Sequence, residues 1–342
     1  MEQIRIVGLD IAKSLFQVHG VDAAGEVVLR RRLRRSRVLP FFASIARCRI
    51  GIEACATAHY WARELGALGH DVRLMPPSYV KPYVKRQKND AADAEAICEA
   101  VSRPTMRFVP VKTVEQQGVM VLHRSRALLM RQRVRLSNAI RGHMAEYGIV
   151  APIGRQGLQR LIATIDDEAD TRVPAVAWVC LRMLVTQLQL VNAQALETER
   201  QIRADARATE VGRRLMEVPG IGPVLASALV ATVPDPHAFG SGRNLSAWIG
   251  LVPRQTSSGG KERLGGITKQ GNRYLRQMLV VGAMAVIRYA QHHGTRRPWL
   301  VQLMARRTTK IAAVALANKT ARIVWALMTS GERYREPVLR AA

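Results

Sequence analysis

Asp90 and Asp93 lie three residues apart in the stretch KNDAADAEAICE, Lys88 to Glu99. Asn89 is a natural N-cap, and Ala91, Ala92, Ala94 and Ala96 favour helix, so both carboxylates fall on one face of a first helical turn. Like charges held together cost energy unless a cation sits between them, and oxygen ligands suit a hard divalent ion. The alternative is two acids at a helix N-terminus, which the macrodipole favours without any ligand. A second stretch, LVPRQTSSGGKERLGGITKQGNRYLRQML, sets Ser257 and Ser258 before Gly259-Gly260, among Arg254, Lys261, Arg263, Lys269, Arg273 and Arg276. A serine hydroxyl is a weak nucleophile near neutral pH. Neighbouring cations would position it against a phosphate and stabilise the charge that develops there. Taken by itself, the same composition also describes a flexible polar loop.

Other elements must present these groups. Ile4 to Leu9 reads as a buried strand with Asp10 at its end, and the alternating segment Phe16 to Val21 closes a hairpin on it. Cys48 to Ile52 repeats the pattern, an apolar strand whose tip carries Glu53. Helical patterns at Leu39 to Arg47 and Trp61 to Leu68, and a strand at Val72 to Met75, complete an α/β domain with a partly parallel sheet. The run LRRRLRRSR, Leu29 to Arg37, is too basic for a core. Arg31 and Arg34 are read as nucleic-acid contacts, with a solvated strand and turn as the alternative. The loop Tyr79 to Lys88 brings Lys85, Arg86 and Lys88 directly to the Asp90/Asp93 helix, a placement that suits phosphate.

Thr113 and Gln116 form a capping box for a helix running to about Tyr147, on which Arg124, Arg131 and Arg135 make one basic stripe for a nucleic-acid backbone. Gly148 to Gly157 breaks the pattern and marks a domain boundary. A second long helix runs from Pro174 to about Ala208, roughly 50 Å. Its apolar seam of Leu181, Leu184, Leu188, Val191 and Ala195 has coiled-coil spacing and predicts dimerisation, or else packing on the preceding long helix. VPGIG, Val218 to Gly222, sits between helix formers as in a helix-hairpin-helix element, where Gly220 and Gly222 would let backbone amides approach a phosphate.

The 342 residues carry 52 Lys and Arg against 26 Asp and Glu, a net +26, which points to a polyanionic partner. From His237 onward there are 18 Lys and Arg against only Glu262, Glu332 and Glu336. The four cysteines lack the spacing of a zinc site or a secreted disulfide framework. Neither a signal segment nor an uninterrupted apolar stretch of membrane-spanning length is apparent, so a cytoplasmic, nucleoid-associated location is expected.

GLDIAK with Asp10, GIEACAT with Glu53, and KNDAADAEAI with Asp90 and Asp93 resemble the four-acid (DEDD) RuvC-like, RNase H-like domain of a bacterial insertion-sequence transposase family. That family includes the pilin-gene invertase. Within its IS-one-ten group the chain looks most similar to the IS-eleven-eleven branch. PGIG and the SSGG to KQGNRYLR segment resemble the family's second, transposase domain. The resemblance implies a three-part chain. Residues 1–150 form the RuvC-like metal-binding domain, 151–210 a helical coiled-coil-like dimerisation segment, and 211–342 a mostly α-helical transposase domain with a catalytic serine. It further implies a recombinase guided by a structured bridge or seeker RNA that pairs with donor and target DNA. Asp10, Glu53, Asp90 and Asp93 would hold Mg²⁺, or Mn²⁺ in its place. Ser258 would attack the DNA backbone to form a covalent link, with Ser257 one residue away as the other candidate. Dimers would assemble into tetramers on DNA, with the site formed between protomers. Two other readings share the same residues. One is a metal-dependent junction nuclease that uses water and forms no adduct, and the other is a non-catalytic nucleic-acid-binding protein.

Overall fold

The computed structural model describes residues 3–85, 89–167, 169–294 and 297–336. Its first unit, Met1–Thr113, is built on a mixed sheet. Strand β1 (Ile6–Ile11) pairs antiparallel with β2 (Leu15–Val21), which pairs antiparallel with β3 (Val27–Arg34). After a short α1 (Val38–Ala43), β4 (Arg49–Glu53) joins the other side of β1 in parallel. Helix α2 (Ala58–Ala67) then leads to β5 (Asp71–Met75), parallel to β4. The strand order is β3-β2-β1-β4-β5, which leaves the arginine-rich β3 at an edge. A short α3 (Pro77–Val80) and the loop after it lead to α4 (Asp90–Ser102).

Alternation along the strands sorts side chains between two faces. Val7, Leu9, Phe16, Val18, Leu33, Ile50 and Ile52 are buried with Phe42 and Trp61 on the side covered by α1 and α2. The other face is covered by α4, which lands on two glycines. Gly8 and Gly51 are paired across β1 and β4. A Cβ on Gly8 would stand 2.1 Å from the Ala94 carbonyl oxygen, and one on Gly51 would stand 2.7 Å from the Val101 Cβ. Only bare backbone allows a helix this close to the sheet.

The second unit, Val114–Ala342, is mainly helical. Helix α5 (Val114–Ala145) and the amphipathic α6 (Arg155–Asp166) precede α7 (Ala175–Ala208), for which Pro174 is the N-cap residue. The seam read on α7 is covered from within the same chain. Leu181 and Leu188 are buried in one cluster with Val185 of α7, Ile140 and Met144 of α5, and Leu161 of α6. The following helices are α8 (Glu210–Met216), α9 (Pro223–Thr232) and α10 (Gly242–Ile249). A small antiparallel hairpin comes next, β6 (Pro253–Gln255) and β7 (Leu264–Ile267), and then α11 (Arg273–His293), α12 (Pro298–Arg306) and α13 (Thr309–Ser330). Leu225, Leu245, Leu279, Leu316 and Val324 contribute to a second core.

Two findings depart from the sequence reading. By length and composition α7 and α13 each pass as membrane-spanning helices, although no such stretch was expected. Both also pack inside the unit, α13 in the second core and α7 against α5 and α6. The VPGIG turn does join α8 to α9, but Gly220 is used for packing. It has φ 91°, and a Cβ on Gly282 of α11 would stand 1.9 Å from the Gly220 carbonyl oxygen. Gly222 is exposed at the start of α9 and meets no such neighbour.

Candidate active site

In the first unit, the four acids gather at one end of the α4 face. Asp10 shares its face with Gly8, two residues before it. Glu53 follows Ile52, the parallel partner of Leu9, and so stands beside Asp10. Asn89 caps α4 by accepting from the Ala92 N–H at 2.8 Å, which fixes Asp90 and Asp93 in the first turn. Because Gly8 admits α4 at Ala94 and Cys98, this turn is held over the end of β1.

The carboxylates sense one another. The Asp10 carboxyl is pushed up to about 6, first by burial and then by the negative charges of Asp93, Asp90 and Glu53. Four carboxylates, three of them around the half-buried Asp10, are a donor set that suits a hard divalent cation in chemistry and charge. Among the described residues no three His, Cys, Asp or Glu side chains stand at ligand spacing. The fit is therefore one of donor type and electrostatics.

In the second unit, the serine stretch is a projecting β-hairpin, not a loose loop. Residues 253–266 are exposed. Ser258 bridges to Lys261, with the Lys261 N–H donating to the Ser258 carbonyl at 3.1 Å across Gly259 and Gly260. Both glycines have positive φ, 56° and 75°, as the mirror-image two-residue hairpin turn requires. The two serines differ. Ser257 Oγ accepts from the Arg263 N–H at 3.2 Å and from the Gln255 side-chain amide at 3.1 Å, so it is part of the hairpin. Ser258 Oγ has no hydrogen bond among the described residues and lies at the exposed tip.

The foot of the hairpin is pinned. Arg276 donates to the carbonyls of Ile249 and Gln270, at 2.7 and 3.0 Å, and Asn318 donates to the Leu251 carbonyl at 3.1 Å. Lys269 adopts φ 57° there, the one positive-φ residue other than glycine among those described. Arg254, Lys261 and Arg263 are carried on the exposed hairpin, and Arg273 is exposed in the first turn of α11.

The remaining basic positions are scattered. Arg124, Arg131 and Arg135 are exposed along α5. Lys85 is ion-paired to Glu95 and so is not an open cation. The Arg31 guanidinium lies 5.3 Å from the Phe41 ring, on the side of the sheet away from the acids, whereas Arg34 lies on the α4 side. Arg86 and Lys88 fall outside the described residues.

Sequence reading missed a buried polar chain in the second unit. Ser227 of α9 donates to Asp205 of α7 at 2.7 Å and lies 2.9 Å from His123 Nε2, while His123 Nδ1 lies 3.1 Å from the Tyr274 hydroxyl. The residue types suggest a hydrolytic triad, but the connectivity does not. Asp205 meets the serine instead of orienting the histidine, and Ser227 is 1% exposed. The chain ties α5, α7, α9 and α11 together. No signal in the sequence spacing would have revealed it.

Comparison with known proteins bears on both halves. Residues 7–149 match the DEDD transposase family of IS110 elements, and residues 212–297 match the family described as transposase IS116/IS110/IS902. The chain is 50% identical to the "Probable family 20 transposase" of Pseudomonas aeruginosa, over 96% of this chain and 98% of that protein. It is 42% identical to the transposase for insertion sequence element IS1111A of Coxiella burnetii, covering 98% and 92% of the two chains. For the IS1328 transposase of Yersinia enterocolitica the identity is 38%, over 97% and 98%.

Proposed function

The chain belongs to the IS116/IS110/IS902 transposase family, enzymes that cleave and rejoin DNA, and we propose that it does so through a phosphoserine link formed by Ser258. The observation that carries this reading is the contrast at the hairpin tip, where Ser257 Oγ is bonded within the hairpin and Ser258 Oγ is exposed without a partner among the described residues. Ser258 Oγ forms a bond to phosphorus as one backbone P–O bond breaks, and the proton lost by the serine is balanced by one gained by the leaving strand oxygen. The reverse step, with a new strand end as nucleophile, rejoins the backbone. Storing the phosphodiester energy in the serine link makes joining feasible where hydrolysis would waste it.

Asp10, Glu53, Asp90 and Asp93 would hold Mg²⁺, or Mn²⁺, which when bound supplies charge neutralisation at the phosphate. The chain's own contribution is to keep four carboxylates within Coulomb range and to hold α4 rigidly through Asn89 and Gly8. Arg254, Lys261, Arg263, Lys269 and Arg273 would neutralise backbone near the serine, and Arg124, Arg131 and Arg135 would do so along α5.

A net +26 exceeds what solubility needs, which supports a structured guide RNA as partner beside donor and target DNA. The functional parts are taken as 1–150, 151–210 and 211–342, acting as dimers that pair into tetramers in the cytoplasm. Because α5 and α6 cover the Leu181/Leu188 seam, self-association through α7 would use the exposed Val176, Val179, Met183 and Leu190 instead. Gly222, at an open helix start, is retained as a phosphate contact, and Gly220 is assigned to packing.

The test is denaturing-gel trapping on labelled element-end DNA with Mg²⁺ and the element's flanking RNA. A shifted, protease-sensitive band should be lost in Ser258→Ala and in Asp90→Ala but kept in Ser257→Ala. Cleavage that persists in both serine variants, without any adduct, would replace this reading with the metal-dependent nuclease.

A further inference from the structure

The α4 face of the sheet carries more than the acids. Register places Gln17 opposite Asp10, and Arg32 opposite Gln17. One position along, His19 is opposite Gly8, and Arg30 is opposite His19. Two parallel rows therefore cross the sheet, and the row that holds Glu53 and Asp10 continues through Gln17 to Arg32. Strand spacing puts Arg32 about 10 Å from Asp10 along that row.

Between these residues and the first turn of α4 is a cleft of 380 Å³, lined by Gln17, His19, Arg30, Arg32, Asn89 and Glu95. Glu95 is ion-paired to Lys85 and also lies within Coulomb range of Arg30, so one carboxylate faces several cations and the cleft keeps a positive balance. Neither Arg30, Arg32 nor Gln17 has a hydrogen bond or ion pair among the described residues. His19 is 5% exposed, and its ring likewise has no hydrogen-bond partner among them. Arginines also serve on edge strands simply to prevent sheet-to-sheet association. That role does not require a cleft, a buried polar ring at its floor, or alignment with a carboxylate cluster.

We propose that this cleft is a phosphodiester subsite for the DNA strand leaving the acids, with Arg30 and Arg32 as its cations and Gln17 as a neutral donor between them and Asp10. The sign change along one row, from Glu53 and Asp10 to Arg32, gives the strand a direction. The phosphate to be cut lies at the acids, and a neighbouring phosphate is held by guanidinium groups without competing for the cation. Arg34, the next residue on the same face of β3, extends the path along this edge strand. The proposal rests on the reading of the acids as the DNA-cutting site.

The experiment measures binding of full-length protein to fluorescein-labelled single-stranded DNA of the element's end, in EDTA, as a function of salt. Arg30→Ala and Arg32→Ala should each reduce the slope of log affinity against log salt by about 0.7, and the double variant by about 1.4. Arg107→Ala, an exposed cation outside the cleft, serves as the control and should leave the slope unchanged. A methylphosphonate walked along the strand should weaken wild-type binding at one or two positions, and that penalty should vanish in the double variant. An unchanged slope, an unchanged penalty profile, or an equal effect of Arg107→Ala would overturn the subsite. Circular dichroism of each variant separates these outcomes from misfolding. If the phosphoserine adduct never forms but the slope and penalty change as stated, the proposed chemistry fails and the subsite stands. If the adduct forms and the slope is unchanged, the reverse holds.

Discussion

Gly8 and Gly51 stand side by side in β1 and β4, and together they form the bare patch of sheet on which α4 rests. The acids are held in register by this close approach. Asp10 and Glu53 each lie two residues beyond one of these glycines, and Asp90 and Asp93 lie on the helix that the patch admits. Gly8→Ala would drive a methyl group to within 2.1 Å of the Ala94 carbonyl and 2.4 Å of the Cys98 nitrogen, both of them backbone atoms. Overpacking of this kind costs about 1–3 kcal/mol. We expect a melting temperature lowered by several degrees and an adduct yield that falls far more than single-strand binding, as measured in parallel on one preparation.

The Asp10 carboxyl gives a pH signature. Its folded value of about 6 lies above the ordinary carboxylate value, so folding takes up a proton in the interval between them. The stability this group contributes is full below the unfolded value and is lost as pH rises through about 6. Without divalent metal, Asp10→Asn should therefore raise the melting temperature at pH 7 and change it little at pH 4. Added Mg²⁺ should raise the wild-type melting temperature at pH 7 and raise that of Asp10→Asn less. Differential scanning calorimetry of the two proteins checks both statements.

His123 behaves in the opposite sense. Burial holds its folded value down at about 4, against an ordinary value near 6.5. The unfolded chain therefore binds the proton first as pH falls. The contribution is full above about 6.5 and is lost as pH drops toward 4, by at most about 3 kcal/mol before solvent screening. His123→Gln keeps polar groups near Ser227 and Tyr274 and cannot titrate. Chemical denaturation from pH 7 to 4.5 should show wild type losing stability relative to this variant.

The hairpin tip supplies a prediction about geometry. Gly259 and Gly260 both need positive φ, which costs a residue with a Cβ about 1–2 kcal/mol at each position. Gly259→Val with Gly260→Val should widen the turn and displace Ser258, whereas the foot held by Arg276 and Asn318 stays in place. Trapped adduct should fall at least tenfold, while the melting temperature, set by cores that the exposed hairpin does not enter, stays the same.

Local rules made part of this site legible in the sequence. An Asn before an alanine-rich run gave α4, its cap and the shared face of Asp90 and Asp93, and apolar strands with terminal carboxylates gave Asp10 and Glu53. Information that depends on which face of an element is covered was not legible. LRRRLRR reads as uniformly basic, and only the register against β2 separates Arg30, Arg32 and Arg34 from Arg31, which stacks on Phe41 instead. The α7 seam was visible, but its partners were not, since helices of the same chain and a second copy satisfy the same spacing. Gly220 reads like Gly222 until the turn meets Gly282. The His123 chain joins residues separated by up to 151 positions, beyond the reach of any periodicity.

Ser258, not Ser257, is the residue assigned the covalent link. Cleavage after Arg254 and Lys261 by trypsin releases QTSSGGK as a single peptide containing both serines. Nuclease-trimmed adduct, digested with trypsin and fragmented in a mass spectrometer, should carry its residual nucleotide on Ser258. A nucleotide on Ser257, or an unmodified peptide from reactions in which the DNA has been cut, would rule out Ser258 as the nucleophile.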